Sequence, residues 1–347
     1  MSVKINLTAV FTVETQKPVT ADQGENKMRL TNEELKQITF GAVEVHEEGS
    51  SLRFSKCTEK QEAAWYAYST VLGDRARTTT GIRLDFHTDS SYIEFRASKG
   101  GKFELLIDGI LRKRLSGSET EIPTRVELTS VVGTRSESVR VTLIYPSHSL
   151  GILDYVELED GATVTPHQYD RKLLFIGDSI TQGHNSYFDS LSYAWRVTNY
   201  FNAESVINGI GGAFFATSTF DTSSYDPDAV IVAYGTNDWG RYPDFEQMKR
   251  EVTGYFDLLR ENYGDKKIIV ISPIWRANGE GVVFGEKFDE RRKFIESEAR
   301  ARGFYAIDGL TLLIPDPSFY SDRYLHPNDL GFSVYAENLI RQITPIL

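Results

Sequence analysis

Between about residue 37 and about residue 165, apolar and polar residues alternate with a period of two. The runs are GIRLDFHTD, SYIEFRAS, KFELLIDG, RVELTSV and VRVTLIYP, with turn residues between them. Alternation sends every second side chain to one face, so each run predicts a strand with a single buried face. Short strands separated by regular turn signals predict an antiparallel β-sandwich, jelly-roll-like in kind. Ahead of it, the first ~36 residues predict one further strand, followed by ADQGENKMRLTNEEL as a loop or short helix.

After Gln168-Tyr169-Asp170-Arg171 the period changes. Continuous apolar runs appear at Leu173–Ile176, Val206–Ile207, Ala229–Tyr234, Ile268–Ile271 and Phe304–Ile307, the pattern of strands buried on both faces. Helical periodicities lie between them, near Leu191–Phe201, Phe245–Tyr263 and Glu286–Ala301, with a last one near Leu330–Ile343. Alternating strands and helices predict a doubly wound α/β domain with a parallel sheet. The chain therefore divides near residue 168 into a β-rich unit, 1–167, and an α/β unit, 168–347.

The length of 347 residues agrees with two units, since it exceeds the usual reach of one core. With 40% hydrophobic and 25% charged residues, an ordinary soluble globular protein is expected. Lys and Arg number 38 against 49 Asp and Glu, for a net charge of -11. That excess repels phosphate backbones and anionic lipid, so neither a nucleic acid nor a membrane is an expected partner, and a neutral substrate fits it better than a polyanion. Cys57 is the one cysteine, which excludes an internal disulfide and a Cys-rich zinc site. Within RFSKCTEKQE it has no nearby His and reads as buried or tolerated rather than nucleophilic. The opening MSVKINLTAVFTVETQKP carries no export signal and no run approaches ~20 apolar residues, so a soluble, cytoplasmic protein is expected.

Three motifs carry chemistry. The first strand of the α/β unit runs into Gly177-Asp178-Ser179-Ile180-Thr181-Gln182-Gly183; the strand Ala229–Tyr234 runs into Gly235-Thr236-Asn237-Asp238; and Asp322-Arg323-Tyr324-Leu325-His326-Pro327 precedes the final helix. In a doubly wound sheet the carboxyl ends of the strands open on one crevice, where all three would meet. Gly-Asp-Ser alone arises by chance about once in ten chains of this length; three motifs in this order arise by chance of order once in 10,000.

With these residues in place the chain resembles the SGNH hydrolases, or GDSL esterases and lipases, over roughly its last half. Their four blocks match Ser179 in Gly177-Asp178-Ser179, a glycine of Val206-Ile207-Asn208-Gly209-Ile210-Gly211-Gly212, Asn237, and Asp322 with His326. The β-rich first half resembles the sandwich domain that precedes such hydrolases in some carbohydrate O-acetyl esterases. Two departures stand out. The family usually sets Asp three residues before His, whereas Asp322 and His326 are four apart, which leaves another acid or a backbone carbonyl as alternatives for orienting His326. Block two is one residue short, so Gly212 is aligned with the oxyanion glycine and Gly211 is the fallback.

The resemblance implies Ser179 as nucleophile, His326 as base and Asp322 as the acid that orients it, with the N–H of Ser179, the N–H of Gly212 and the amide of Asn237 as oxyanion donors. The chemistry explains these residue types. A serine hydroxyl needs a base to take its proton, and a neutral imidazole accepts it and returns it to the leaving alcohol. A carboxylate at Nδ1 fixes the tautomer. Glycine at 212 lets the backbone approach a substrate, and Asn237 supplies a neutral donor. Asp178 and Asp238 read as structural, holding turns through side-chain to backbone bonds.

His46, His87, His148, His167 and His184 lack zinc-site spacing; His87 and His148 read as decoration of the β-rich unit, and His184 as a surface residue before a pocket residue. Carboxylate pairs such as Glu33-Glu34 read as solvated. Trp239, Trp275 and Arg276 follow strand ends, where flat rings and a guanidinium suit sugar binding; packing of a loop is the alternative.

The expected protein is a serine esterase that removes a short acyl group, acetyl by resemblance, from a carbohydrate hydroxyl, with no metal or organic cofactor. Other SGNH activities (lysophospholipase, thioesterase, acyltransferase) and a non-catalytic carbohydrate-binding protein are the alternatives.

Overall fold

A computed structural model describes residues 27–49, 51–115, 122–128 and 138–347. The strand expected in the first residues and the end of the RVELTSV run lie outside the described residues. No helix among the described residues is long and apolar enough to cross a membrane.

Among its described residues the β-rich unit holds two larger antiparallel sheets and a two-stranded pair, Glu44–Glu48 with Ser51–Ser55. One is ordered Lys27–Arg29, Ile152–Glu159, Tyr92–Lys99, Thr124–Glu127. The other is ordered Thr165–Pro166, Arg83–Thr88, Val139–Ile144, Phe103–Ile107, Ile110–Leu115, with Thr39–Phe40 also paired to Arg83–Thr88. Alternate residues of both sheets, among them Ile93, Phe95 and Val156 from one and Leu84, Phe86, Leu105 and Val141 from the other, share one buried core. The sheets therefore face each other as a sandwich, the layering that period-two strands require.

Within this stretch the period-two reading misses two helices, Glu59–Tyr68 and Thr70–Ala76. The first starts at a capping box, in which the Thr58 side chain accepts from the Gln61 N–H while Gln61 reaches back to the Thr58 N–H. Both helices leave the sandwich and pack on the α/β unit. Trp65, Leu72 and Ala76 join the cluster that contains Leu174, Val206 and Phe214, and the Trp65 ring meets Phe214 edge-on at 5.6 Å.

The α/β unit is a five-stranded parallel sheet in the order Ala203–Gly209, Arg171–Gly177, Ala229–Ala233, Lys267–Ile271, Tyr305–Ile307. Leu174, Val206, Val230 and Val270 point to one face, under the helices Phe245–Tyr263 and Phe288–Ala301. Phe175, Ile207, Ile231 and Ile269 point to the other, under Tyr193–Tyr200 and Asp329–Ile343. Apolar side chains on both sides of every central strand explain the unbroken apolar runs.

The two units meet through a buried, hydrogen-bonded seam. Fully buried Glu104 accepts the N–H groups of Asp189 and Ser190 at 2.7 and 3.1 Å, and Asp189 accepts the Ser147 N–H at 2.8 Å. Arg83, 1% exposed, reaches from the sandwich to the Ala203 and Ser205 carbonyls. Gly81, at φ +80°, lies so close that a Cβ there would stand 2.7 Å from Cβ of Ile207, so only glycine fits. Cys57 is buried at the same seam, and burial pushes its thiol up to about 12, which leaves it inert at neutral pH.

Candidate active site

Strand Arg171–Gly177 ends in a tight turn that starts the four-residue helix Ser179–Gln182. Asp178 caps it by accepting the Ile180 N–H at 2.9 Å, and Gly183 closes it at φ +83°. Ser179 thus stands at the carboxyl end of the second strand of the sheet, where the crevice opens.

The loop before the last helix supplies its partner. Ser179 Oγ lies 2.9 Å from His326 Nε2, and His326 Nδ1 lies 2.7 Å from Asp322 Oδ2. The extra residue between Asp322 and His326 is absorbed by a coiled loop. Arg323 takes a left-handed φ of +55°, and Asp322 Oδ1 accepts the N–H groups of Tyr324, Leu325 and His326 at 2.8, 2.8 and 3.1 Å. The loop closes on itself through the Ser321 N–H and the His326 carbonyl. Partial burial raises the Asp322 carboxyl, but the Leu325 N–H, the His326 ring and the neighbouring N–H groups outweigh it and hold the carboxyl at about 2. Asp322 is therefore an anion beside Nδ1 at any ordinary pH.

The glycine loop and Asn237 line the same cavity. Gly211 gives its N–H to Gln182 Oε1 at 2.8 Å, whereas Gly212 lines the cavity at φ +86°. Half-buried Asn237 gives one Nδ2 hydrogen to the Ala213 carbonyl at 2.9 Å and keeps the other. Behind them Asp238 is fully buried, accepts the Phe215 N–H, and is pushed by burial up to about 8. Asp178 is likewise pushed up to about 7 by burial. Asp178 holds its own turn, whereas the bond of Asp238 to Phe215 ties its loop to a segment 23 residues away.

These residues surround a cavity of about 350 Å³ lined by Ser179, His326, Gly211, Gly212, Asn237, Gln182, Leu325, Arg75, His148 and His184. Four of them are additions or corrections to the sequence reading. His184 is a pocket residue: its ring meets His326 edge-on at 4.6 Å, and burial with the neighbouring His326 and Arg75 lowers its basicity. His148 does not decorate the sandwich; it packs 5.7 Å from His184, and burial pulls it down to about 4. Arg75 comes from the helix Thr70–Ala76 and donates Nη1 to the Gly211 carbonyl at 2.7 Å. Gln182, one turn after Ser179, ties three segments together, accepting from Gly211 and donating Nε2 to the Ser147 carbonyl at 2.8 Å and to Thr78 Oγ1 at 3.2 Å. Gln182 and His184 lie inside or beside the Gly-Asp-Ser segment and were within reach of a closer reading; no local pattern marks Arg75 or His148.

The aromatic positions go the other way. Trp239 is 1% exposed, bonds the Glu286 carbonyl through Nε1 and packs on Phe288, so it is a core residue outside the cavity. Trp275 packs against Tyr320 at 4.9 Å. Arg276 donates to the Thr236 carbonyl at 2.8 Å and to the Tyr324 hydroxyl at 3.1 Å, bracing the Asn237 and His326 loops from behind. None of the three lines the cavity.

A serine hydroxyl, an imidazole and a carboxylate in line, at the carboxyl end of a parallel α/β sheet, form an arrangement suited to acyl transfer. Residues 175–334, within the α/β unit, match the model of the GDSL-like Lipase/Acylhydrolase family. Among solved structures, a salicylyl-acyltransferase, SsfX3, from a tetracycline biosynthetic pathway is similar with a TM-score of 0.77, at 18% identity over 94% of this chain and 98% of that one. A family two carbohydrate esterase from Cellvibrio japonicus is similar with a TM-score of 0.63, at 17% identity over 92% of this chain and 97% of that one. A family two carbohydrate esterase from Clostridium thermocellum, in complex with cellohexaose, gives a TM-score of 0.59, at 19% identity over 78% and 93%. These likenesses extend the shared fold to the β-rich unit as well. No curated protein matches the chain.

Proposed function

We propose that the protein is a serine esterase that hydrolyses short-chain esters, acetyl above all, on a carbohydrate hydroxyl. The observation that carries this reading is the Ser179–His326–Asp322 line opening into a small, polar cavity. Leu325 is the sole aliphatic side chain among its lining residues, which favours a short acyl group and a hydroxyl-rich alcohol over a long fatty chain. The resemblance of the whole chain to carbohydrate esterases supports the sugar.

The steps follow from the groups present. His326 Nε2 takes the Ser179 proton as Oγ attacks the ester carbonyl, and the N–H of Ser179, the N–H of Gly212 and the free Nδ2 hydrogen of Asn237 receive the developing oxyanion. His326 then returns the proton to the leaving alcohol, which breaks the C–O bond and leaves acetyl on Ser179. Water, deprotonated by His326, releases acetate and restores the serine. No step draws on a metal or organic cofactor.

A second reading, transfer of the acyl group to an acceptor alcohol instead of water, is favoured by the fold shared with an acyltransferase over 94% of the chain. Acid release from p-nitrophenyl esters of increasing chain length and from acetylated oligosaccharides separates the readings. Loss of turnover in Ser179→Ala and His326→Ala with a preference for acetyl is expected. Undiminished hydrolysis in Ser179→Ala overturns the mechanism, a preference for long chains overturns the acetyl assignment, and a new ester formed faster than acetate in the presence of a sugar alcohol selects transfer.

A further inference from the structure

The cavity is the reverse of the molecule in charge. Of its ten lining residues none is an acid, in a chain whose net charge is -11. Arg75 stands exposed at its mouth, carried there by a helix of the β-rich unit. Its Nη1 is spent on the Gly211 carbonyl. Its Nε and Nη2, the edge of a guanidinium that pairs side-on with two oxygens, have no hydrogen-bond partner among the described residues, and Arg75 makes no ion pair among them. Beneath it Lys56, 1% exposed, bonds the Arg75 carbonyl and the hydroxyls of Thr78 and Thr80, and also makes no ion pair among the described residues. The acids around it have other partners: Asp322 serves His326 and three N–H groups, Asp74 the Tyr66 hydroxyl, and Glu62 Arg53 and Ser55. His148 and His184, which also line the cavity, add no negative charge in either protonation state. The guanidinium edge of Arg75 is thus left without an ion-pair partner among the described residues.

We propose that Arg75 is a specificity residue that binds a carboxylate on the alcohol part of the substrate, so that the acetylated carbohydrate is a sugar acid. The inference rests on the acetyl-ester reading above: with acetyl as the acyl group, the alcohol is the part of the substrate left to carry an anion. A planar guanidinium edge matches the two oxygens of a carboxylate in a way an ammonium does not.

The test compares kcat/KM for acetate release from a mono-O-acetyl methyl glucuronoside and from its methyl ester, in which one added methyl group removes the charge. Wild type favours the acid by roughly 10- to 100-fold, the range of a hydrogen bond between charged groups. Added salt lowers the rate on the acid and spares the ester. In Arg75→Gln, whose amide still reaches toward the Gly211 carbonyl, and in Arg75→Leu the preference collapses toward one, while Arg75→Lys restores part of it. Loosening of the Gly211 loop lowers both rates together and cancels in the ratio. An acid-to-ester ratio of one or less in wild type, or a ratio that survives in Arg75→Gln and Arg75→Leu, overturns the proposal. Wild type that cleaves p-nitrophenyl acetate without discriminating the two sugars defeats this inference alone; wild type that releases no acetate from any of the three defeats the acetyl reading and the inference with it.

Discussion

Replacing Asp322 by Asn keeps the shape of the side chain and removes its charge, and the bonds around it show what should follow. Oδ1 serves three backbone N–H groups and Oδ2 serves His326 Nδ1, so an amide oxygen can satisfy one set while the amide nitrogen confronts the other. The ring then loses the acceptor that fixes its tautomer, and turnover is expected to fall by about 10- to 10,000-fold with KM little changed. A near-normal rate would mean that another group orients His326. Asp238 gives a pH prediction of opposite kind. Burial raises its carboxyl from 3.8 to about 8, so between those values the folded protein holds a proton that the unfolded chain has released. Stability contributed here is complete below the unfolded value and declines as pH rises toward about 8. Thermal denaturation of Asp238→Asn should therefore show a smaller loss of Tm between about pH 5 and about pH 8 than wild type; an equal loss would show that Asp238 is ionised in the fold.

Among the elements, the short helix Ser179–Gln182 and the loop Gly209–Gly212 work as a pair, and Gln182 couples them. Gln182→Ala strands the Gly211 N–H and the Ser147 carbonyl in a buried place, which costs about 1–3 kcal/mol per unsatisfied group. The expected signature is a lower denaturation midpoint together with a lower kcat, since Gly212 loses its fixed position. Gly212→Ala probes the same loop from within: φ +86° disfavours any Cβ, and the added one would stand 3.0 Å from Arg75 Nη1. Gly212→Ala should lower both the denaturation midpoint and kcat; a fall in kcat at a temperature where the variant is fully folded would support its N–H as an oxyanion donor, and an unchanged kcat would point to other donors.

At the scale of the molecule, the helices Glu59–Tyr68 and Thr70–Ala76 join the sandwich to the parallel sheet, and the second brings Arg75 to the cavity. Trp65, 2% exposed at that seam, should cost about 3–5 kcal/mol on Trp65→Ala, as large-to-small changes of buried aromatics do. Buried Glu104, Asp189 and Arg83 cross between the units, so unfolding is expected as one cooperative calorimetric transition, and two separated transitions would show that the seam is dispensable. The net charge of -11 is not repeated in the cavity lining, which holds no acid and carries Arg75.

By itself the sequence determined what local periodicity and short motifs can carry. Period-two runs and unbroken apolar runs announced an antiparallel sandwich before a parallel sheet, and the helix Phe245–Tyr263 appears with the bounds its pattern predicts. Ser179, Asn237, Asp322 and His326 were legible because each sits in a contiguous motif at a strand end or before a helix, where the doubly wound topology makes position follow from order. What the tertiary structure alone decided involves partners far apart in the chain. Trp239, Trp275 and Arg276 turned from the crevice into packing and bracing because their loops have neighbours to fill, such as Phe288 and Tyr320. Arg75 and His148 entered the cavity because the sandwich folds back onto the sheet, a contact between residues 136 positions apart in the case of Arg75 and Gly211. Local patterns encode which face of an element is apolar; which unit that face finally meets, and which polar side chains are carried with it, is set by packing of the whole chain.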